Sequence, residues 1–301
     1  MSNTTPEAIP PVNPVEQPKA PSRRFWLGVA GVTTSVLAFL GCLPSDPAPE
    51  GEGPATVVNG DSLTFSSNEG PGLAKDKIPQ RYLVDEMIAS GKRIRVSAFL
   101  GRTTVDLDTR TWPAELSPID ITVTALGTND GNTDTNTGEL NVPMSQFPAF
   151  EPDTYLTEDG ELSPEATTHT SAYLERMQAK CDVLVEVNTH AANWPSLATT
   201  GPIINNSHRS LLQTRAALGR AEGVLVRWDD FAEQNPDWFR EGSRDVHFEG
   251  LTGTEPGYSA YRRVMVTGAN VCEGLINDET PNQYVEITPD NIEALALQYS
   301  P

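Results

Sequence analysis

The sequence predicts an α/β fold, a three-layer α/β/α domain built on a five-stranded, mainly parallel sheet. Two observations predict it: short β-branched runs recur from Ala55 onward, and helical patterns lie between them. The chain has 301 residues, of which 38% are hydrophobic, enough for one substantial core. A single domain of about 220 residues accounts for all of these elements.

Each strand is predicted from a short apolar run that is bounded by turn residues. The predicted strands are 55–58, 93–100, 119–126, 182–188 and 224–228. Helix starts are marked by Pro79 and by Ser163-Pro164-Glu165, and Gly91 marks a helix end. The predicted helices are 79–90, 163–180, 208–220 and 255–274, with a weak further pattern at 289–298.

Residues 1–41 have the layout of an export signal. A polar lead is followed by Arg23-Arg24 and by an uncharged apolar stretch, 25–41. The paired arginines resemble a twin-arginine signal. The stretch 39–42 resembles a bacterial lipobox, which would make Cys42 the lipid-bearing first residue of the mature protein. Since 17 apolar residues are also at the lower limit for crossing a bilayer, a permanent membrane helix is the alternative.

The remaining boundaries follow from composition. Residues 42–54, rich in Pro, Gly and Glu, are predicted to be a disordered linker between the membrane and a domain at 55–276. Residues 277–301 are predicted to be a C-terminal tail. The protein is therefore expected outside the cytoplasm, at the cell surface or extracellular, lipid-anchored and monomeric.

The charge balance excludes some partners. A formal net charge of −20 argues against nucleic acid and anionic lipid headgroups, so membrane contact is expected only through the N-terminal anchor. Export would permit a disulfide between Cys181 and Cys272, although two buried thiols would look the same in sequence.

A polar segment between residues 130 and 162 has two interpretations. Oxygen-bearing residues alternate there, as in a calcium loop, but the expected glycine and glutamate of that loop are missing. A substrate-facing or mobile loop is the favoured interpretation. The alternating residues are Asp130, Asn132, Asp134 and Asn136.

Candidate catalytic residues lie at the predicted strand ends and in a late loop. Ser62, Gly101 and Asn129 follow the first three strands, and His247 precedes the last long helix. In a parallel sheet these loops meet at one edge. Serine hydrolysis needs a nucleophile, a base and donors for the oxyanion, and these four residues supply one candidate set.

These residues stand in motifs that resemble the blocks of the SGNH, or GDSL-type, hydrolase family, whose fold is flavodoxin-like. Gly60-Asp61-Ser62-Leu63 matches the first block and Gly127-Thr128-Asn129-Asp130 the third. Gly101 fits the second block, and Asp245-Val246-His247 resembles the last. The resemblance covers about residues 55–274 and implies an ester hydrolase with no cofactor and no metal.

The resemblance also implies a role for each residue. Ser62 would attack an ester carbonyl, with His247 as general base and then general acid. The oxyanion would be held by the backbone amides of Ser62 and Gly101 and by the Asn129 side chain.

The triad acid departs from the family pattern, because Arg244 stands three residues before the histidine and Asp245 only two. Asp245 is the predicted orienting acid. The alternatives are a backbone carbonyl in that role and a surface position for Asp245. Of the other histidines, His190 could line the site, whereas the helical patterns predict solvent exposure for His169 and His208.

The sequence is compatible with three functions. The first is an exported esterase that acts on O-acyl groups of lipids or glycans. The second is an O-acyltransferase that passes the same acyl group to a sugar hydroxyl. The third is a non-catalytic, surface-tethered binding protein of the same fold.

Overall fold

The computed structural model describes residues 51–66, 80–98, 101–107, 118–130, 168–191, 194–240, 246–249, 255–278 and 280–300. A six-stranded sheet forms the centre of this region, with the strand order β2-β1-β3-β4-β5-β6 and parallel pairing throughout. The strands are β1 (Ala55–Gly60), β2 (Arg93–Ala98), β3 (Ile121–Ala125), β4 (Cys181–Val185), β5 (Glu222–Val226) and β6 (Tyr284–Ile287). The prediction of an α/β fold with a parallel sheet is confirmed, and the first five strands follow the flavodoxin-like order.

The central strands are buried on both faces, as parallel strands between two helical layers must be. Every residue of β1, β3 and β4 is buried. The predicted count of five strands is wrong, because β6 adds a sixth beside β5. This strand lies in the segment 277–301, which the sequence suggested was a tail.

Helices cover both faces of the sheet. They are α1 (Ser62–Ser66), α2 (Gln80–Ala89), α3 (His169–Met177), α4 (Pro195–Ala217), α5 (Trp228–Gln234), α6 (Pro256–Asn277) and α7 (Ile292–Gln298). One apolar core includes side chains of α2 and α6, and a second includes side chains of α3 and α4. The two cores make the three layers of the prediction.

Some helices differ from the sequence prediction. Helix α4 begins 13 residues before the predicted start at 208, because Pro195 occupies its first turn and Pro202 lies inside it without ending it. Helix α3 begins after an N-cap, Thr168, whose side chain accepts from the backbone N–H of Ser171. The predicted start at 163–165 lies outside the described residues. Helices α1 and α5 were not predicted.

A disulfide joins Cys181, at the start of β4, to Cys272 in α6, with Cα atoms 5.6 Å apart. Both cysteines are fully buried, so the bond ties a sheet strand to the covering helix inside the core. Within the described part of the chain, no helix combines the length and the apolar character needed to cross a bilayer. The predicted export signal and Cys42 lie outside the described residues.

The sheet register brings three loops to one level. Gly60, the last residue of β1, pairs with Ala98 of β2 on one side and with Ala125 of β3 on the other. The chain leaves all three strands at the same height. The loops that carry Ser62, Gly101 and Asn129 therefore start next to one another at the carboxyl edge of the sheet.

Candidate active site

Ser62 is the first residue of the short helix α1, and only Asp61 separates it from the end of β1. A Cβ atom at Gly60 would overlap the side chain of Thr64, so the turn between strand and helix closes only around glycine. Asp61 shapes the same turn, because its Oδ1 atom accepts from the backbone N–H of Leu63 at 2.9 Å. The Ser62 side chain is thus held in a tight, largely buried turn.

His247 reaches Ser62 from a loop late in the chain. Its Nε2 atom lies 3.0 Å from Oγ of Ser62. The loop is positioned by an antiparallel bridge between Phe239 and Phe248. Arg240 reinforces this bridge, since its backbone N–H donates to the carbonyl of His247 at 3.2 Å and its Nε donates to the carbonyl of Phe248 at 2.9 Å.

The environment of His247 suits a general base. Burial lowers its pKa, and the positive charge of Arg240 lowers it further. The imidazole is therefore neutral at neutral pH. A neutral imidazole beside a serine hydroxyl can accept the proton when the serine attacks.

Gly101 and Asn129, the predicted oxyanion residues, lie in loops that bind each other. The Asn129 side chain donates from Nδ2 to the carbonyl of Arg102 at 3.0 Å. Gly101 has a left-handed backbone with φ of +72°, a conformation that favours glycine. The turn after β2 therefore lies against the turn after β3.

A second contact joins the same two loops. Thr104 donates to Oδ1 of Asp130 twice, from its backbone N–H at 2.9 Å and from its hydroxyl at 2.7 Å. Asp130 immediately follows Asn129, so this carboxyl group fixes the backbone beside the predicted oxyanion donor. It binds protein donors, and the described residues contain no group of His, Cys, Asp and Glu that could hold a metal ion. The other residues of the calcium-loop pattern lie outside the described residues.

Two carboxyl groups are buried below the site. Burial raises the pKa of Asp61 to about 7, an effect that the N–H of Leu63 opposes and the charge of Asp130 increases. Burial likewise raises the pKa of Asp130 to about 6, against the hydrogen bonds from Thr104. Both groups lie next in sequence to a predicted site residue and accept hydrogen bonds from nearby backbone N–H groups. Their charge state therefore affects how firmly the site loops are held.

The remaining predicted site residues are distributed as follows. Asp245 lies outside the described residues, so its role as orienting acid stays a prediction. His190 is exposed, with Nε2 3.6 Å from Oδ1 of Asp229. The expected exposure of His208 is wrong: it is buried on α4, and burial lowers its pKa to about 4. It is a core histidine, because it lies on the buried face of α4 and forms a hydrogen bond with the backbone of Val185 at the end of β4.

Sequence reasoning did not select Arg102 or Thr104, and it named Asp130 only as part of the third motif and of the calcium-loop pattern. A charged residue after a predicted strand is usually solvated, and only the fold shows that Arg102 and Asp130 are buried. One feature of the sequence could have indicated them, because Arg102 stands next to Gly101 and Asp130 next to Asn129. A residue next to a predicted oxyanion donor is a candidate for holding that donor in place.

Comparisons with known proteins add a likeness of structure. No protein-family model matches the chain, and no curated protein sequence matches it. The structure is similar to that of the lipase/acylhydrolase from Enterococcus faecalis, at 16% identity and a TM-score of 0.47, over 75% of this chain and 99% of that one. It is also similar to the phospholipase A1 from Streptomyces albidoflavus, at 12% identity and a TM-score of 0.40, over 73% and 100%. The extracellular lipase from Streptomyces rimosus is 12% identical, with a TM-score of 0.38, over 72% and 100%.

Proposed function

We propose that this chain, which combines an SGNH-like fold with a paired serine and histidine, hydrolyses carboxylic O-acyl esters through an acyl-enzyme on Ser62. The observation that carries the proposal is the 3.0 Å contact between Oγ of Ser62 and Nε2 of His247. A hydroxyl at that distance from a neutral imidazole has its proton acceptor in place.

In the first half-reaction, Oγ of Ser62 attacks the ester carbonyl carbon and its proton passes to Nε2 of His247. The carbonyl oxygen becomes an oxyanion, for which the proposed donors are the backbone N–H groups of Ser62 and Gly101 and the amide of Asn129. When the tetrahedral intermediate collapses, the C–O bond to the alcohol breaks. The leaving oxygen takes the proton from Nε2, and the acyl group stays on Ser62.

In the second half-reaction, water replaces the alcohol. His247 takes a proton from the water molecule, whose oxygen attacks the acyl carbon. Collapse of this intermediate returns the proton to Oγ of Ser62 and releases the carboxylic acid. If a sugar hydroxyl entered instead of water, the same steps would transfer the acyl group. Product analysis with a sugar acceptor in water therefore separates a hydrolase from an O-acyltransferase.

We place the substrates among the O-acyl esters of lipids and glycans. The test is a panel of nitrophenyl esters of increasing chain length, phospholipids and acetylated glycans, given to wild type and to Ser62→Ala. We expect turnover by wild type and a loss of at least about a thousandfold in Ser62→Ala. Labelling by a fluorophosphonate probe that persists unchanged in Ser62→Ala would refute the assignment, and glycan or lipid binding without turnover would favour a non-catalytic binding protein.

We also propose that the protein is exported and anchored through a lipid on Cys42. Arg23-Arg24 and the apolar stretch after them support export, and a buried disulfide suits an oxidising compartment. Metabolic labelling with a radioactive fatty acid tests the anchor. We expect label in the membrane fraction for wild type and none for Cys42→Ser, and equal labelling of both would contradict the proposal. We expect the released domain to elute as a monomer in gel filtration.

A further inference from the structure

Arg102 is an unusual residue for the place it occupies. It follows Gly101 directly, yet only 3% of its surface is exposed. Arginine is rarely buried unless its N–H donors are bound, because an unpaired guanidinium loses its hydration.

The guanidinium binds the carboxyl ends of two neighbouring strands. Its Nη1 atom donates to the carbonyl of Ser97 on β2 at 2.6 Å, and Nη2 donates to Oδ1 of Asn59 on β1 at 3.3 Å. Asn59 is fixed in turn, because its Nδ2 lies 2.6 Å from the hydroxyl of Tyr173 on α3. The planar fork of arginine suits this bridge, since its donors leave in fixed directions.

The backbone of Arg102 faces the other loop. Its carbonyl accepts the hydrogen bond from Nδ2 of Asn129 at 3.0 Å. Among the described residues, no atom lies within 4 Å of the place that a Cβ atom of Gly101 would occupy, and the Gly101 backbone lies in the left-handed region. Packing of described side chains at that place does not fix Gly101, whereas the anchored Arg102 fixes the backbone on its carbonyl side.

We propose that Arg102 is the positioning residue of the oxyanion site, which sets the Gly101 peptide and the Asn129 amide together by fixing one backbone segment to the sheet. The inference rests on the proposed function. Arg102 does not touch the substrate. It acts through the two donors, and an error in its position displaces both of them.

The proposal predicts a loss in kcat rather than in KM. Arg102→Met keeps a long apolar stem without the hydrogen bonds, and Arg102→Lys keeps the charge but not the fork. Removing one oxyanion donor costs about a hundredfold to a thousandfold in kcat. With a short-chain nitrophenyl ester we expect kcat of Arg102→Met to fall by at least about tenfold, with KM within about threefold, and Arg102→Lys to recover only part of the loss.

A matched control separates position from stability. Arg215 is also buried, with 2% exposure, and its Nε donates to Oδ2 of Asp182 on β4 at 2.9 Å. Arg215→Met should lower the melting temperature without lowering kcat per titrated active site. Tyr173→Phe is a milder test, since it keeps the core volume and removes only the hydroxyl beside Asn59. We expect a smaller fall in kcat from Tyr173→Phe, in an enzyme that still folds.

A double-mutant cycle tests the route of the effect. If Arg102 acts through the donors, Arg102→Met should cost less in kcat when Asn129 is already alanine than it costs in wild type. Equal losses in both backgrounds, or equal losses of kcat in Arg102→Met and Arg215→Met, would overturn the inference. Failure of the proposed function would look different, because wild type itself would then show no Ser62-dependent ester turnover.

Discussion

The Oγ atom of Ser62 and the Nε2 atom of His247 lie 3.0 Å apart, although the two residues are 185 positions apart in sequence. The contact depends on two supports that are built independently. One is the turn that closes on Gly60 at the end of β1, and the other is the bridge between Phe239 and Phe248. A change at either support should therefore act on the same proton transfer.

The pH dependence of hydrolysis should report the lowered pKa of His247. Because the neutral imidazole is the base, activity is present above this pKa and is lost as pH falls through it. We expect the acid limb of kcat/KM to have its midpoint below 6.5, the ordinary value for histidine.

The Arg240 charge should shift that midpoint in a predictable direction. Arg240→Gln removes a positive charge that lowers the pKa, so the midpoint should rise, while burial still keeps it below 6.5. Arg240→Lys keeps the charge and is the control. Superimposable pH profiles for wild type and Arg240→Gln would contradict this account of His247.

Asp61 should make the protein less stable as pH rises. Its pKa is raised from 3.8 to about 7 in the folded state, so between these values the folded protein holds a proton that the unfolded chain has lost. The free energy of unfolding therefore falls as pH rises through this window. Each unit of pKa difference is worth about 1.4 kcal/mol. In Asp61→Asn, the fall in the free energy of unfolding between pH 5 and pH 8 should therefore be smaller than in wild type by about 1 to 3 kcal/mol.

Asp120→Asn is the control for the Asp61 variant. Burial raises the pKa of Asp120, but the hydrogen bonds from Lys180 and the N–H of Ala55, with the positive charges of Lys180 and Arg93, outweigh it, so the pKa is lowered. Its stabilising effect is lost only below pH 4, so its removal should leave the slope between pH 5 and pH 8 unchanged. Denaturant titrations at several pH values measure both variants. Equal slopes for wild type and Asp61→Asn would argue against a raised pKa.

Two glycines at the site should respond differently to alanine. Gly60→Ala introduces a Cβ that overlaps Thr64, so the nucleophile turn must open and esterase activity should be lost. The Cβ atom of Gly101→Ala would meet no atom of the described residues, so the substitution adds backbone strain of about 1 to 2 kcal/mol. We expect Gly101→Ala to fold, with a lower melting temperature, and still to react with a fluorophosphonate probe. Probe reaction of Gly60→Ala at the wild-type rate would show that the turn tolerates the substitution.

The disulfide between Cys181 and Cys272 should contribute strongly to stability. It closes a loop across a sequence separation of 91 residues, and the chain-entropy estimate for such a loop is about 4 to 5 kcal/mol. The Cys181→Ala, Cys272→Ala double variant should unfold at a lower urea concentration and keep its activity at 25 °C. Non-reducing peptide mapping should find the linked peptides in wild type, and an unchanged urea midpoint would contradict the expected contribution.

Most of the central sheet was predictable, because its strands are β-branched runs that are buried on both faces. Strand β6 was missed for the opposite reason: it has four residues, only Ile287 is buried, and Glu286 carries a charge. The first half of α4 was missed because Pro202 and Gly201 suggest a break, although Gly201 packs against Thr189. Tertiary packing determines the structure of both segments, and the local sequence pattern carries no information about that packing.

The site could be predicted in part. Ser62, Gly101 and Asn129 follow strand ends, so their convergence follows from topology. The residues that hold these three in place could not be predicted from topology. Charged loop residues such as Arg102 and Asp130 are usually solvated, and only the register of β1 with β2 and β3 brings their loops into contact.

Strand β6 is also needed for a version of the protein that stays in solution. It covers the backbone edge of β5, a strand whose last four residues are buried, and its Glu286 forms an ion pair with Arg227 there. A shortened version that stops after α6 would leave β5 as an open edge of unpaired N–H and C=O groups. Such an edge recruits strands from other molecules, so that version should aggregate during expression, however intact its catalytic loops.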